Sequence, residues 1–212
     1  MRIEGSPKQW SDFLSDLIPD ILLLVIKTWG KYKKPDDIIL EVPINKWFAE
    51  RMRQEKNKQG DLPFKICPEV SIPDPNTGKE LGRIDILFDP VYTINEHVYF
   101  AFECKRLHII YDKRMETNTG EYIGDDGMMC FITGKYSEEL PSGGMIGYVM
   151  DGDVYSAILT IKKAIKKQNN TLCLCPNTSL EDCSLLPNEK QVKETKHKIN
   201  NDFTIYHVFL AV

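Results

Sequence analysis

Three side chains that could carry chemistry stand in two apolar stretches near the middle of this 212-residue chain. The stretch GRIDILF contains Asp85, and the stretch VYFAFECKRL contains Glu103 and Lys105. Side chains alternate between the faces of a strand, so Glu103 and Lys105 share one face, and Asp85 lies on the face opposite to Ile84 and Ile86. If the two strands pair, two carboxylates and one ammonium group meet in one patch.

Two carboxylates close together in an apolar setting are costly unless a positive charge compensates them. A divalent cation does so, and oxygen ligands suit Mg²⁺ or Mn²⁺. Such an ion orients and acidifies water and neutralises charge that develops on a phosphodiester. Lys105 could position or deprotonate that water, and the backbone carbonyl of Cys104 is a further candidate ligand. The patch therefore indicates metal-dependent phosphodiester hydrolysis.

The order of these residues resembles a known family. Asp85 followed by Glu103-Cys104-Lys105 is similar to the core motif of the PD-(D/E)xK nuclease superfamily, which has the restriction-endonuclease-like fold. The resemblance covers roughly residues 40–155 and includes the order α-β-β-β-α-β, although the residue before Asp85 is isoleucine rather than proline. It implies that Asp85 and Glu103 bind the metal and that Lys105 is the catalytic lysine.

Two further groups of residues follow from the resemblance. Many members add an acidic ligand from the first core helix, and Glu50 in WFAERM matches that place, while Glu69 in the first strand competes with it. The helix after the lysine often supplies polar residues to the substrate, which makes Lys135 and Tyr136 candidates for substrate binding. The alternative is that Tyr136 packs in the core and Lys135 is solvated.

Composition limits the setting in which such a nuclease could work. With 42% apolar residues the chain is expected to form one globular domain. The net charge of −4 gives no overall basic footprint, so a locally basic groove, metal ions or a partner subunit would have to hold nucleic acid. No signal peptide or membrane span is apparent, which predicts a cytoplasmic protein with mostly reduced cysteines.

The element pattern predicts an α/β fold with a central mixed sheet flanked by helices. Within the single domain we expect an N-terminal helical extension over 1–39, a nuclease core over 40–155, and a C-terminal helix, polar loop and closing strand over 156–212. The first helix begins at Pro7, and Pro19 is expected to kink or divide it. The other predicted elements are a helix from Pro43, strands over 64–72, 79–89 and 97–107, a helix over 127–140, a strand over 143–153, a helix over 154–168 and a strand over 203–212.

Three other signals are weaker. Cys173, Cys175 and Cys183, with His197 downstream, could bind zinc, but their spacing matches structural zinc sites poorly and favours small apolar thiols. The lysines over 162–167 could bind phosphate or simply form a solvated helix face. His207, in the closing strand, is expected to be a hydrogen-bonded core histidine.

Taken together, the motif and its resemblance imply a nuclease that uses Mg²⁺ or Mn²⁺ and acts on DNA, with no membrane role. By analogy with the superfamily, we expect it to be the nuclease subunit of a prokaryotic defence or restriction system, with partner subunits or as a homo-oligomer. The alternative is a non-catalytic subunit with a nuclease fold that binds nucleic acid or partner proteins in a larger complex.

Overall fold

The computed structural model describes residues 7–60, 62–74, 76–91, 97–111, 114–136, 139–199 and 201–212. The helices are α1 (Pro7–Lys31), α2 (Glu41–Gln59), α3 (Thr119–Ile123), α4 (Met129–Ile132) and α5 (Val154–Lys167). The strands are β1 (Phe64–Pro73), β2 (Glu80–Pro90), β3 (Phe100–Leu107), β4 (Ile109–Tyr111), β5 (Arg114–Glu116), β6 (Ser142–Val149), β7 (Glu181–Asp182), β8 (Val192–Lys198) and β9 (Asp202–Ala211).

Seven of these strands form one mixed sheet in the order β1-β2-β3-β6-β9-β8-β7, and β4 pairs with β5 in a separate two-stranded sheet. β1 and β3 both run antiparallel to β2, β6 runs parallel to β9, and β8 runs antiparallel to β9. The predicted α/β class, with a mixed sheet flanked by helices, is therefore confirmed. No helix among the described residues is long and apolar enough to cross a membrane.

The chain divides into two compact units, Met1–Phe102 with Ser137–Leu140 and Glu103–Tyr136 with Pro141–Val212. In the first unit α1 packs on α2, where the Trp29 ring lies 5.0 Å from the Phe48 ring in an edge-to-face contact. α1 runs through Pro19 as one 25-residue helix, so the expected division there is wrong. Fully buried residues on both sides of the proline, Leu14 and Leu22, show that packing holds the helix together despite the lost backbone donor.

An aromatic core sets the register of the first three strands. Edge-to-face contacts join Phe64 to Phe88 at 5.3 Å, Phe88 to Phe102 at 5.8 Å and Phe100 to Phe102 at 5.1 Å between ring centroids. Slipping a strand by one residue would expose these rings and lose their burial. In β2 and β3 the aromatic residues stand at even positions, which leaves odd positions for the acidic residues on the other face.

In the second unit, β6 is buried along its whole length. Close packing requires glycine at position 143, because a Cβ there would collide with the ring of Phe131. α5 is amphipathic as predicted and buries Ala157, Ile161 and Ile165. Asp153 caps it by accepting a hydrogen bond from the backbone N–H of Ser156 at 3.0 Å.

Two predicted elements of the second unit are corrected. The helix expected over 127–140 is reduced to the four residues of α4, since the chain turns at Gly134, where φ is +75°. Residues 137–138 of that prediction lie outside the described part. The stretch expected to be a polar loop contains β8, whose sequence VKETKHK hides its strand character because three of its buried side chains are polar.

Candidate functional site

Asp85 and Glu69 face one another across two neighbouring strands of the first unit. Pro68 pairs with Ile86 and Val70 pairs with Ile84, so each strand has one residue between these pairs, Glu69 on β1 and Asp85 on β2. Asp85 is only 7% exposed, and the Glu69 side chain is only 9% exposed. The structure therefore gathers two carboxylates at one point of the sheet.

Glu69 combines an unusual backbone conformation with unfavourable surroundings for its ionised carboxylate. Its φ of +56° is left-handed, a conformation that residues other than glycine seldom adopt. Burial raises the pKa of Glu69, a hydrogen bond from Asn45 offsets part of this effect, and the charge of Asp85 raises the pKa further. Asn45 Nδ2 donates to Glu69 Oε1 at 3.0 Å, and Arg83 Nη1 lies 4.0 Å from Glu69 Oε2. A cation beside the two carboxylates would relieve their unfavourable charge.

The other acidic candidate, Glu50, lies elsewhere. It stands on the solvent side of α2 with 53% of its side chain exposed, and its carboxylate contacts Arg53 at 3.4 Å. α2 reaches Glu69 through the fully buried Asn45 instead. Asn45 was missed from the sequence, although a polar residue within the apolar stripe that continues at Phe48 and Met52 was the available signal.

Glu103 and Lys105 form a buried ion pair in the second unit. Lys105 Nζ lies 2.7 Å from Glu103 Oε1, and the two side chains are 8% and 6% exposed, respectively. The same ammonium group donates to the backbone carbonyl of Cys104 at 2.9 Å. The predicted sharing of one strand face by Glu103 and Lys105 is thus confirmed. The two oxygens expected to bind a metal both bind a positive charge, that of Lys105.

The oxygen ligands in each unit are of the types that Mg²⁺ prefers. Glu69 and Asp85 offer carboxylate oxygens in the first unit, and Glu103 and the Cys104 carbonyl offer oxygens in the second. Among the described residues no three His, Cys, Asp or Glu side chains form a group that could hold a metal ion. Mg²⁺ commonly binds only one or two protein carboxylates and keeps several waters. The carboxylates of Glu69 and Asp85 would meet that requirement within the first unit.

The two predicted substrate-binding residues have different surroundings. Tyr136 is 2% exposed, and its ring packs edge-to-face on Phe131 at 5.7 Å. Lys135 is half-buried, with its ammonium group 5.4 Å from the centre of the Tyr136 ring. Burial raises the pKa of the Cys130 thiol to about 11, with the charge of Glu103 adding to this and Lys135 opposing it. The charges of Lys135 and Glu103 therefore act on the same group, the Cys130 thiol, with opposite effects on its pKa.

His108 and Asp151 form a hydrogen-bonded pair in the second unit that the sequence does not predict. His108 follows β3 with a left-handed φ of +53°, and its Nδ1 lies 3.0 Å from each carboxylate oxygen of Asp151. An ionised carboxylate only accepts hydrogen bonds, so the ring donates to Asp151 through Nδ1. His108 is 1% exposed, and its Nε2 has no hydrogen-bond partner within the described residues. The two residues are 43 positions apart, so no sequence signal joined them.

Five groups of the second unit form a buried hydrogen-bond chain with a defined direction. His197 Nδ1 donates to the carbonyl of Leu172 at 2.7 Å, which leaves His197 Nε2 to accept from Thr195 Oγ1 at 2.7 Å. Thr195 Oγ1 then accepts from His207 Nε2 at 2.9 Å, and His207 Nδ1 accepts from the Tyr122 hydroxyl at 3.0 Å. The expectation that His207 is a hydrogen-bonded core histidine is confirmed, and both rings are neutral.

The hydrogen bonds of His197 also bear on the possible zinc site. Both ring nitrogens of His197 are engaged by Leu172 and Thr195, so neither has a lone pair free for a metal. Cys183 is buried and Cys173 is half-buried, and all six cysteines are free thiols. In this arrangement His197 is therefore not available to complete a zinc site with these cysteines.

Comparison with known proteins gives no relative. No protein-family model matches the chain, and no curated protein or solved structure matches it.

Proposed function

We propose that this chain is a divalent-metal-dependent nuclease that hydrolyses phosphodiester bonds, with DNA as its substrate. The observation that carries the proposal is the buried contact between Lys105 and Glu103, 2.7 Å apart, on a strand whose other face is apolar. A lysine buried beside a carboxylate is expensive to keep for stability alone, since an apolar pair of similar size often stabilises a fold as well or better. Such a pair is a natural feature of an active site.

We propose that this pair acts together with Glu69 and Asp85. The order of Asp85, Glu103 and Lys105 along the chain, which resembles the PD-(D/E)xK motif, supports joining them.

In the proposed reaction, Glu69, Asp85, Glu103 and the Cys104 carbonyl would hold Mg²⁺ or Mn²⁺. The ion would supply Lewis acidity and an acidified water as nucleophile. Asn45 orients the carboxylate of Glu69 through its 3.0 Å hydrogen bond. Lys105 carries a positive charge into the site, where it orients the nucleophile and stabilises the extra negative charge on the phosphorus oxygens in the transition state.

The fold and biological setting belong to the same proposal. The order α2-β1-β2-β3-β4-β5-α3-α4-β6 contains the α-β-β-β-α-β order of restriction-endonuclease-like proteins, with the β4–β5 hairpin inserted before the short helices, and this supports the proposed fold. We propose that the chain is a cytoplasmic nuclease subunit of a prokaryotic defence or restriction system. With a net charge of −4, it would depend on a partner subunit or a second copy to hold DNA firmly.

The test is plasmid cleavage with Mn²⁺ or Mg²⁺ by the wild type, Asp85→Ala and Lys105→Ala. We expect each variant to lose at least about 100-fold in rate, the usual effect of removing one group that stabilises a transition state. Lys105→Ala leaves Glu103 without this counter-charge. The double variant Glu103→Gln/Lys105→Met removes both charges and serves as a control that should be equally inactive. Circular dichroism checks the fold of each. Cleavage at the wild-type rate by a folded variant would refute the assignment.

One observation favours the alternative, a nuclease-fold subunit that binds without cutting. The ammonium group of Lys105 already neutralises Glu103, so this pair does not need a metal. That function predicts that Mg²⁺ and Mn²⁺ leave the melting temperature unchanged, whereas an ion that binds only the native state must raise it. Thermal melting with and without the ions therefore separates the two functions before any substrate is known.

A further inference from the structure

α5 carries a surface stripe that the proposed catalytic groups do not use. Tyr155 is 74% exposed and Leu159 is 39% exposed. Lys162 and Lys166 continue the same line, because residues spaced by three or four positions lie on one side of a helix. The opposite side of α5 is buried through Ala157, Ile161 and Ile165. We call Tyr155, Leu159, Lys162 and Lys166 the α5 stripe.

The charge on this helix is unbalanced. α5 contains four lysines, all exposed, and no acidic residue: Lys162, Lys163, Lys166 and Lys167. Within the described part of the chain none of them forms an ion pair or a hydrogen bond through its side chain. The exposed lysines near β8 differ, since Lys190 and Lys193 both pair with Asp182. In a chain of net charge −4, α5 is thus a concentrated positive surface.

Helix stability accounts for only part of this pattern. Lysines in the last turn, Lys166 and Lys167, interact favourably with the helix dipole. Lys162 and Lys163 lie farther from that end, and the dipole gives no reason for an aromatic ring to stand in solvent at Tyr155. The combination of an exposed ring with a row of ammonium groups has a simpler explanation in a ligand that offers both anions and flat faces.

We propose that the α5 stripe binds single-stranded nucleic acid, with backbone phosphates on Lys162 and Lys166 and a base stacked on Tyr155. Lys162 lies about 10 Å along the helix from Tyr155, and Lys166 lies about 6 Å farther on. The two lysines and the tyrosine thus extend over about 16 Å of the helix, long enough to contact more than one phosphate of an unpaired strand. Stacking on an exposed aromatic ring is how sequence-tolerant proteins hold unpaired bases.

A membrane surface fits this helix less well. A helix that lies in a bilayer buries a broad apolar face in it. The apolar face of α5 is already buried within the protein, and only Tyr155 and Leu159 remain to enter a bilayer. The inference extends the proposed nuclease function by naming a binding surface for its substrate, but binding can be measured without cleavage.

The experiment is fluorescence anisotropy with a labelled oligothymidylate in EDTA, over a series of salt concentrations. Lys162→Glu/Lys166→Glu is compared with the wild type and with Lys8→Glu/Lys27→Glu, which makes the same charge change at two exposed lysines of α1. We expect the α5 variant to bind at least about tenfold more weakly and to reduce the salt slope by about 1 to 2, with little change in the α1 variant.

A third variant tests the stacking contact. Tyr155→Ala is expected to weaken oligothymidylate binding by about tenfold while leaving binding to heparin, a polyanion without bases, unchanged. The inference is wrong if the α5 and α1 variants lose affinity equally, if the wild type does not bind the oligonucleotide, or if it binds only phosphatidylserine vesicles. Binding without metal-dependent cleavage would refute the nuclease alone, and cleavage that is unaffected by the α5 variant would refute this surface alone.

Discussion

Glu69 lies directly across from Asp85 between the β1–β2 pairs Pro68–Ile86 and Val70–Ile84. Burial and the charge of Asp85 both raise the pKa of Glu69. An ionised Glu69 therefore costs the metal-free protein stability at neutral pH, since its charged form is more favourable in the unfolded chain. A functional site often carries such a cost, because the charges that bind a cation repel each other in its absence.

The first prediction is that Glu69→Gln raises the melting temperature of the protein in EDTA at pH 7. The amide removes the repulsion with Asp85 and keeps an oxygen that can accept the hydrogen bond from Asn45. Differential scanning fluorimetry measures the effect. Glu50→Gln, on the exposed side of α2, is the matched control and should change the free energy of unfolding by no more than about 0.5 kcal/mol. A lower melting temperature for Glu69→Gln would contradict the prediction.

The second prediction concerns the acidic metal ligand. Mg²⁺ or Mn²⁺ is expected to raise the melting temperature of the wild type, because binding only to the native state stabilises it. Glu69→Gln should reduce that increase, and Glu50→Gln should leave it intact. The reverse result, with Glu50→Gln alone losing the metal response, would assign the additional acidic ligand to Glu50 on α2 instead.

The third prediction concerns Lys105, which binds Glu103 and the Cys104 carbonyl. Removing one partner of a buried ion pair costs about 3–5 kcal/mol, so Lys105→Ala should be strongly destabilised in EDTA. Mn²⁺ should restore part of this loss, and should stabilise Lys105→Ala more than the wild type, because the ion no longer competes with the ammonium group. Chemical unfolding with and without Mn²⁺ checks this, and an equal metal response in the two proteins would count against it.

The strand faces and burial of Asp85, Glu103 and Lys105 could be predicted, because they follow from local sequence patterns. Alternation along a strand was enough to place Glu103 and Lys105 on one face, and the apolar residues around Asp85 indicated its burial. Choosing Glu69 over Glu50 needed the register of β1 against β2, which the spacing of the residues does not contain. Asn45 shows the same limit, since its role depends on how α2 packs against β1.

Features that depend on distant polar contacts could not be predicted. The sequence of β8 predicts a loop, because three of its buried residues, Glu194, Thr195 and His197, are polar, whereas buried apolar side chains are the usual signal of a strand. Their burial is possible only because hydrogen bonds satisfy them, as when Ser184 donates to Glu194 at 2.7 Å. Such partners come together only in the folded chain.

The fourth prediction tests the buried hydrogen-bond chain through Thr195. Thr195→Val removes the hydroxyl that joins His197 to His207 and leaves buried ring nitrogens without a partner, at a cost of about 1–3 kcal/mol each. Thr195→Ser keeps the hydroxyl and should cost less. Urea unfolding measures both variants. Equal losses in valine and serine would mean that the methyl group of Thr195, rather than its hydrogen bonds, holds this region.

The fifth prediction is a loss of stability in mild acid. Burial lowers the pKa of His197 to about 4 from 6.5 and lowers that of His207 well below 6.5. Between pH 4 and pH 6.5 these histidines bind more protons in the unfolded chain than in the folded protein. The free energy of unfolding therefore falls as the pH drops from 6.5 toward 4. The His197 contribution is on the order of 3 kcal/mol.

Glu69→Gln is the host for this measurement, because the raised pKa of Glu69 gives a contribution of opposite sign that is lost as the pH rises. In that host, urea unfolding between pH 7 and pH 4.5 should show a falling free energy. Adding His197→Asn should make the dependence on pH shallower, since it removes one of the two histidines whose pKa is lowered in the folded protein. The remaining dependence would come from His207. A pH dependence unchanged by His197→Asn would mean that the acid sensitivity comes from groups outside the Tyr122–His207–Thr195–His197 chain.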